Sequence, residues 1–248
     1  GGVRGPPLPR GRDLGLVRRV GQPEARVVTI LAADTWPTNA DLIADVARLH
    51  KLDRAGLTID LTYNTGKWWK KWEPSYLVTN DTDKDFPTYL SLDYRDLGLW
   101  QNHFGRYDLV AFDPPYQSQG GRKTSTVGAM NDAYGRNESA MSPRENQEWI
   151  DLGLTTAVHI CKPRGVILVK VMDYISSGKL WLGTYRTIDH ALTLPVEVEA
   201  IYTHVGKAGP QPQVNRDGSP RRQLHPRNNA STLLVLRKQA TKKETAHV

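Results

Sequence analysis

The segment that most constrains the fold is residues 109–116, where four apolar residues are followed by Asp113-Pro114-Pro115-Tyr116. Four consecutive apolar residues predict a central strand that is covered on both faces. Proline has no N–H to donate to a sheet ladder, so the strand must end before the two prolines. Because open α/β sheets bind ligands at the carboxyl ends of their strands, we expect Asp113 and Tyr116 to face a ligand.

This tetrapeptide suits the methylation of an exocyclic amine on a nucleobase. Such an amine is a poor nucleophile because its lone pair is delocalised into the ring. Asp113 and the carbonyl group of Pro114 are suited to accept its two N–H groups, and Tyr116 is suited to stack on the base, so catalysis would come from positioning and electrostatics. The alternative is a strand-ending turn with a surface tyrosine, because Asp-Pro commonly opens a turn.

The sequence Asp-Pro-Pro-Tyr resembles the motif of the S-adenosylmethionine-dependent amino-methyltransferases, which methylate adenine N6 or cytosine N4. The resemblance covers residues 34–238 and is to small stand-alone enzymes of bacteria and phages. It implies an α/β, Rossmann-like methyltransferase fold with a mostly parallel seven-stranded sheet, an antiparallel last strand and helices on both faces. It also implies S-adenosyl-L-methionine as cofactor and a catalytic role for Asp113, Pro114, Pro115 and Tyr116.

Other features follow the order of that family along the chain. Asp60 ends a predicted strand, and Gly66 closes the loop behind it, although the family commonly has two or three glycines there. Asp81, with Asp83 as the alternate, follows about 20 residues later, where such folds bind ribose hydroxyls; a capped surface turn is the other interpretation. The resemblance implies these cofactor contacts: Trp36, Asp60, Thr62, Tyr63, Asn64, Gly66, Asp81, and Asp93 with Tyr94 at the adenine.

Periodicity and capping patterns predict the remaining elements. A helix is expected with Thr38 or Asn39 as its N-cap, and a capping box at residues 142–145 predicts another. The tryptophans of residues 67–72 indicate core packing for at least Trp68 or Trp69, or a nucleic-acid surface. The first helix should bury Leu42, Ile43, Val46 and Leu49. A buried strand is expected over residues 166–171 and a further helix over residues 179–192. The last two strands, over residues 196–202 and 231–236, are expected to form an antiparallel pair.

The charge pattern predicts a polyanionic partner. The net charge is +7, which by itself is weak support because many proteins are basic. We expect residues 1–25 to form a flexible basic tail, 26–238 a single domain and 239–248 a second tail. The inserts at residues 117–141 and 206–229 are the expected nucleic-acid-binding loops or, alternatively, plain surface loops; their candidate contacts are Arg122, Lys123, Arg221, Arg222 and Arg227.

Three single residues, Cys161, Lys170 and Asp173, bear on which kinds of site and reaction are possible. Cys161 is the one cysteine, which excludes an internal disulfide framework and a cysteine-rich zinc site and suits a reducing cytosol. It does not follow a proline in a turn, which disfavours cytosine-C5 methylation, and we expect it to be a small packed residue. Lys170 and Asp173 close their strand and either reach the active site or form a structural ion pair.

Taken together, the sequence predicts methylation of DNA, with adenine N6 favoured over cytosine N4 because aspartate stands first in the tetrapeptide. The alternatives are an RNA base methyltransferase that acts on adenine N6 or guanine N2, and a catalytically inactive nucleic-acid-binding protein of the same fold. No metal site is predicted. No apolar run approaches the roughly 20 residues that span a membrane, and we expect a cytoplasmic location in a bacterial cell, or in the host if the protein is phage-encoded.

Overall fold

A six-stranded mixed sheet forms the centre of the computed structural model, which describes residues 36–83, 85–115, 142–206, 219 and 229–240. All of these residues fall in one compact unit. The strands of the sheet are β1 (Leu57–Asp60), β2 (Tyr76–Thr79), β3 (Tyr107–Phe112), β4 (Cys161–Val171), β7 (Val196–Val205) and β8 (Ala230–Lys238). A separate two-stranded hairpin is formed by β5 (Tyr174–Ser176) and β6 (Lys179–Trp181).

The strand order is β2-β1-β3-β4-β8-β7, and β2, β1, β3 and β4 are mutually parallel. The chain passes from β1 outward to β2 and then returns to β3 on the other side of β1, so the topological switch point lies between β1 and β3. β8 is antiparallel to both β4 and β7. This is a Rossmann-like α/β arrangement, and the predicted fold class is confirmed, but the sheet has six strands among the described residues and not the seven that were expected. On the outer side of β2, in place of a further full strand, Leu90 forms one isolated parallel bridge with Asn80.

Helices cover both faces of the sheet. They are α1 (Asn39–Leu49), α2 (Pro143–Ile160) and α3 (Gly183–Ala191), with 3-10 helices at Lys67–Lys70 and Leu97–His103. The predicted caps are confirmed. The Thr38 side chain accepts a hydrogen bond from the backbone of Asp41, and Ser142 and Glu145 cap each other at the start of α2.

The sheet separates two apolar cores because successive strand residues point to opposite faces. In β3, Leu109 and Ala111 face α1, whereas Val110 and Phe112 face α2. The core on the α1 side includes Leu42, Ile43, Val46, Trp68, Trp69, Leu168 and Leu233, and the core on the α2 side includes Ile150, Leu154, Val158, Ile167, Val169 and Leu234. No helix in the described ranges is both long and apolar enough to cross a bilayer.

Two local predictions were wrong. The helix expected over residues 179–192 begins only at Gly183, because Ser177 and Gly178 both have positive φ and make the two-residue turn of the β5–β6 hairpin. Leu49, expected on the buried face of α1, is 45% exposed. The prediction for Cys161 is confirmed: it is fully buried, and burial raises the pKa of its thiol to about 12.

Candidate active site at the carboxyl edge of the sheet

Asp113 is the first residue beyond β3 and lies at the switch point of the sheet. Its backbone N–H donates to the Thr62 hydroxyl at 2.8 Å, and the N–H of Leu61 donates to the carbonyl oxygen of Ala111 at 2.9 Å. These two bonds hold the end of β3 against the end of β1. The predicted end of the strand is confirmed, and the structure places Thr62 as a support for Asp113.

The two carboxylate oxygens of Asp113 have different environments. Oδ2 accepts a hydrogen bond from Nε1 of Trp68 at 3.0 Å. Oδ1 is buried and has no hydrogen-bond partner within the described part of the chain; Nζ of Lys170 lies 3.6 Å from it. Burial raises the pKa of Asp113, and the charge of Lys170 and the Trp68 bond lower it in part. One oxygen is therefore anchored, while the other keeps lone pairs for a donor from outside.

Asp60 is a second buried carboxylate at the same edge and is only 5% exposed. Its Oδ1 accepts from the backbone of Thr62 at 3.0 Å, and its Oδ2 accepts from Nε1 of Trp69 at 2.8 Å. The pKa of Asp60 is raised to about 7, mainly by burial and to a smaller extent by the charges of Asp113 and Asp81, while the hydrogen bonds from Thr62 and Trp69 offset part of the rise. Trp68 and Trp69 thus pack in the core, as predicted, and each also donates to one carboxylate, which sequence reasoning missed.

The loop after β1 is braced against the end of β2. The N–H of Tyr63 donates to the carbonyl of Asn80 at 2.9 Å, and the N–H of Asn64 donates to Oδ2 of Asp81 at 2.8 Å. Gly66 has a φ of +64°, and a Cβ there would lie 2.5 Å from the Tyr63 hydroxyl. The single glycine is therefore required by the turn and by the Tyr63 ring that packs on it.

Asp81, the first choice for the ribose contact, lies next to the β1 loop. Its Oδ1 also accepts from the backbone of Asp83 at 3.0 Å. Asp83, the alternate, accepts from the backbone of Asp85 in its own turn. Because a carboxylate oxygen has two lone pairs, Asp81 keeps acceptor capacity beside its two loop contacts, and its position beside β1 favours it over Asp83.

Asn80 is a positioning residue that sequence reasoning missed. It is fully buried, and its Nδ2 donates to the carbonyl oxygens of Leu61 and Leu92 at 3.0 Å each. Its Oδ1 accepts from the N–H of Leu92 at 2.8 Å. One side chain thus joins the ends of β1 and β2 to the segment that carries Asp93. The only sequence signal is a polar residue directly before the acid of a strand end.

Asp93 and Tyr94, expected at the cofactor adenine, are both engaged within the protein. Nε of Arg95 lies 2.9 Å from each oxygen of Asp93, and this contact lowers the pKa of the carboxyl. The guanidinium of Arg95 in turn lies over the ring of Trp149 at 3.7 Å. Tyr94 is 9% exposed and meets the Phe112 ring edge-on at 5.1 Å. Their contacts with a cofactor stay predictions.

Trp36, expected to border the methionine end of the cofactor, is a core residue that is 5% exposed. Its Nε1 donates to Asp45 at 2.9 Å, and its ring meets that of Tyr202 edge-on at 5.7 Å. The ring and its N–H are both used within the fold, and a role at the cofactor stays a prediction.

Several predicted residues lie outside the described part of the chain. They include the last residue of the tetrapeptide and all five candidate nucleic-acid contacts. Within the described part, no group of three or more His, Cys, Asp or Glu side chains is placed to hold a metal ion. The predicted site residues outside it are Tyr116, Arg122, Lys123, Arg221, Arg222 and Arg227.

Comparison with known proteins by sequence finds no match: no protein-family model and no curated protein matches the chain. Comparison by structure finds similar folds at low identity. A protein from Thermus thermophilus proposed to be a DNA modification methylase, TTHA0409, is 12% identical over 62% of this chain and 57% of its own, with a TM-score of 0.39. It has also been solved in complex with S-adenosyl-L-methionine.

Two further similar structures are TrmN and an rRNA methylase. TrmN from Thermus thermophilus is 12% identical over 80% of this chain and 48% of its own, with a TM-score of 0.45. The rRNA methylase, from Streptococcus thermophilus, is 11% identical over 81% of this chain and 93% of its own, with a TM-score of 0.41. This chain spans about half the length of TTHA0409 and TrmN. All three TM-scores are below 0.5. The fold class is therefore assigned from the strand order and strand directions of this chain.

Proposed function

We propose that this protein transfers a methyl group from S-adenosyl-L-methionine to an exocyclic amino group of a nucleobase, with adenine N6 of DNA as the first choice. The observation that supports this proposal most directly is the position of Asp113 and the environment of its two carboxylate oxygens. It lies at the switch point of the sheet, one oxygen is anchored by Trp68, and the other is a buried acceptor without a hydrogen-bond partner among the described residues.

The chemistry of the residues at the sheet edge fits the cofactor. Asp60, Asp81 and Asp113 bring three carboxyl groups to the ends of three adjacent strands, where carboxylates suit ribose hydroxyls and a sulfonium cation. Asp81 would hold the ribose hydroxyls, and the loop from Thr62 to Gly66 would line the same crevice. When bound, the cofactor supplies an electrophilic methyl group whose C–S bond breaks as the new N–C bond forms.

The chain's own contribution is to hold the target amine. Asp113 Oδ1 accepts one N–H and the carbonyl of Pro114 accepts the other, which turns the nitrogen lone pair out of the base plane and towards the methyl group. Tyr116 would stack on the base, as the sequence predicts. A base inside a duplex must first be flipped out at a cost of a few kcal/mol, and stacking on an aromatic ring recovers part of this cost.

The nucleic-acid partner is supported by charge and by the tetrapeptide. The net charge of +7 favours a polyanion, and aspartate in the first position favours adenine N6 in DNA. The inactive alternative is disfavoured by the geometry of Asp113, because the burial of a carboxylate with one oxygen short of a hydrogen-bond donor carries a cost that the nearby Lys170 offsets only in part.

The test is to incubate the protein with isotopically labelled S-adenosyl-L-methionine and separate pools of unmethylated DNA and RNA, and to identify the methylated nucleoside by mass spectrometry. We expect N6-methyladenine in the DNA pool. Methylated adenine or guanine only in the RNA pool would correct the substrate, and no methylated nucleoside in either pool would refute the proposed activity.

Asp113→Asn tests the assigned role. With Trp68 donating to the amide oxygen, the amide nitrogen takes the place of Oδ1 and presents donors to the target amine. We expect methyl transfer to fall by at least about 100-fold while cofactor binding persists. Asp108→Asn is the matched control, because Asp108 lies at the opposite end of β3 and pairs there with Lys162 at 2.8 Å. Equal activity of Asp113→Asn and the control would remove Asp113 from the mechanism.

A further inference from the structure

Lys170 is a buried cation at the carboxyl edge of the sheet. Its side chain is 6% exposed, and its Nζ lies 3.6 Å from Oδ1 of Asp113. A lysine is rarely buried to this extent unless an anion accompanies it. The sequence alone left a role in the active site and a structural ion pair equally open; the structure places the ammonium group of Lys170 beside the carboxylate of the proposed active site.

The contact is fixed by the register of the sheet. β3 and β4 are parallel neighbours, and Phe112 pairs with Val169, so Asp113 and Lys170 are the next residues along the two strands. Both side chains point to the α1 face, because Ala111 and Leu168 belong to the core on that face. The ion pair is therefore built by the sheet itself.

The other charged groups around Asp113 are mostly negative. Asp60 lies at the end of the neighbouring strand β1, and Asp81 follows β2 beyond it; the negative charges of Asp113 and Asp81 both raise the pKa of Asp60. On the far side of Lys170, His204 of β7 is kept neutral by burial and by the charge of Lys170, which lower its pKa. The charge of Asp41 in α1 raises the pKa of His204 in part, and Asp41 forms an ion pair with Lys71.

We propose that Lys170 is a positioning residue for the methyl transfer inferred above: its ammonium group keeps Asp113 ionised and holds Oδ1 as a hydrogen-bond acceptor for the target amine. The inference rests on the proposed function. Without the cation, the burial that raises the pKa of Asp113 is offset to a smaller extent, and the protonated form of its carboxyl group becomes more favoured. A proton on Oδ1 would present an O–H to the crevice, in place of the acceptor that the N–H of the target amine needs.

Two indole N–H groups report the ionisation directly, without any need for activity. Nε1 of Trp68 donates to Asp113, and Nε1 of Trp69 donates to Asp60. The pH titration of each ¹⁵N-indole signal by NMR, assigned with Trp68→Phe and Trp69→Phe, gives the midpoint of its carboxyl partner. In Lys170→Met we expect the Trp68 midpoint to rise by about 1–3 units, while the Trp69 midpoint falls slightly or stays.

Activity gives the second readout. The acid limb of the kcat/KM profile should move upward by the same amount in Lys170→Met, with activity recovered as the pH is raised. Lys170→Arg keeps the charge and should keep the wild-type limb. Lys162→Met is the matched control, because Lys162 lies on the same strand and pairs with Asp108 away from the site; it should shift neither the limb nor the Trp68 midpoint.

The outcomes separate this inference from the proposed function. A wild-type protein that methylates no nucleic acid refutes the function, while the indole titration still tests the Lys170–Asp113 pair. An active wild type with an unchanged Trp68 midpoint and acid limb in Lys170→Met overturns the role of Lys170 alone. If Lys170→Met shows no cooperative melting, Lys170→Arg decides: a shifted midpoint or limb in this charge-preserving variant overturns the inference, and unchanged values support it.

Discussion

Asn80 offers the sharpest test of how the site is held together. Its amide makes three hydrogen bonds to the backbone of Leu61 and Leu92 from a fully buried position. Asn80→Ala removes all three and leaves two carbonyl groups and one N–H without these partners. Each buried polar group that loses its partner costs about 1–3 kcal/mol. Because water can enter the vacated space, we expect a total loss of about 3–5 kcal/mol.

The isosteric variant Asn80→Asp should show a pH dependence of stability that a general loss of packing would not produce. One oxygen still accepts from Leu92, but the other replaces the amide nitrogen and faces two carbonyl oxygens. The folded state therefore favours the protonated acid, and its pKa rises above the unfolded value of about 3.9. Between these two pKa values only the folded state holds the proton, so stability relative to wild type falls by about 1.4 kcal/mol per pH unit as the pH rises.

The assay is urea denaturation of each variant at pH 4.5, 6 and 7.5, followed by tryptophan fluorescence and compared with wild type at the same pH. Asn80→Ala should lose a constant amount, whereas the loss in Asn80→Asp should be smallest at pH 4.5 and grow towards pH 7.5. Asn102→Ala, an exposed asparagine, is the control and should stay within about 0.5 kcal/mol of wild type. A change below 1 kcal/mol in Asn80→Ala, or a flat pH dependence in Asn80→Asp, would refute the reasoning.

Two further predictions concern the supports of the site. Asp60 has a pKa of about 7 in the folded protein against 3.8 ordinarily, so between these values only the folded state holds its proton. The contribution of Asp60 to stability should therefore fall by about 4 kcal/mol from pH 4 to 7. We expect the stability of Asp60→Asn to lack this part of the wild-type pH dependence, and equal slopes in the two proteins would contradict it. In Gly153→Ala the new Cβ would lie 2.2 Å from Phe112 and 2.7 Å from Tyr94. We expect calorimetry to show a loss of about 1–3 kcal/mol from overpacking, in spite of a helix-propensity gain of about 1 kcal/mol. Phe112→Leu in the same chain should recover part of the loss, and additive effects of the two changes would exclude the clash.

The best sequence predictions were those that depend on neighbouring residues. The end of β3 follows from the missing N–H of two adjacent prolines, and the starts of α1 and α2 follow from cap residues three positions away from their partners. The helix expected over residues 179–192 failed for a related reason. A glycine that can take positive φ beside Ser177 makes a tight hairpin possible, and apolar spacing alone does not distinguish that hairpin from a helical turn.

The sequence by itself determined that Asp113 follows a buried strand, that Asp60 and Asp81 end two others, and that the sheet is of the α/β class. The tertiary structure decided which groups surround each acid. Trp68 and Asp113 are 45 residues apart, and Lys170 reaches Asp113 only because β3 and β4 are neighbours in register. Strand-ending and capping signals act over a few residues and are visible in the chain. Side-chain partners across a sheet depend on strand order and register, which are set when both cores pack at once.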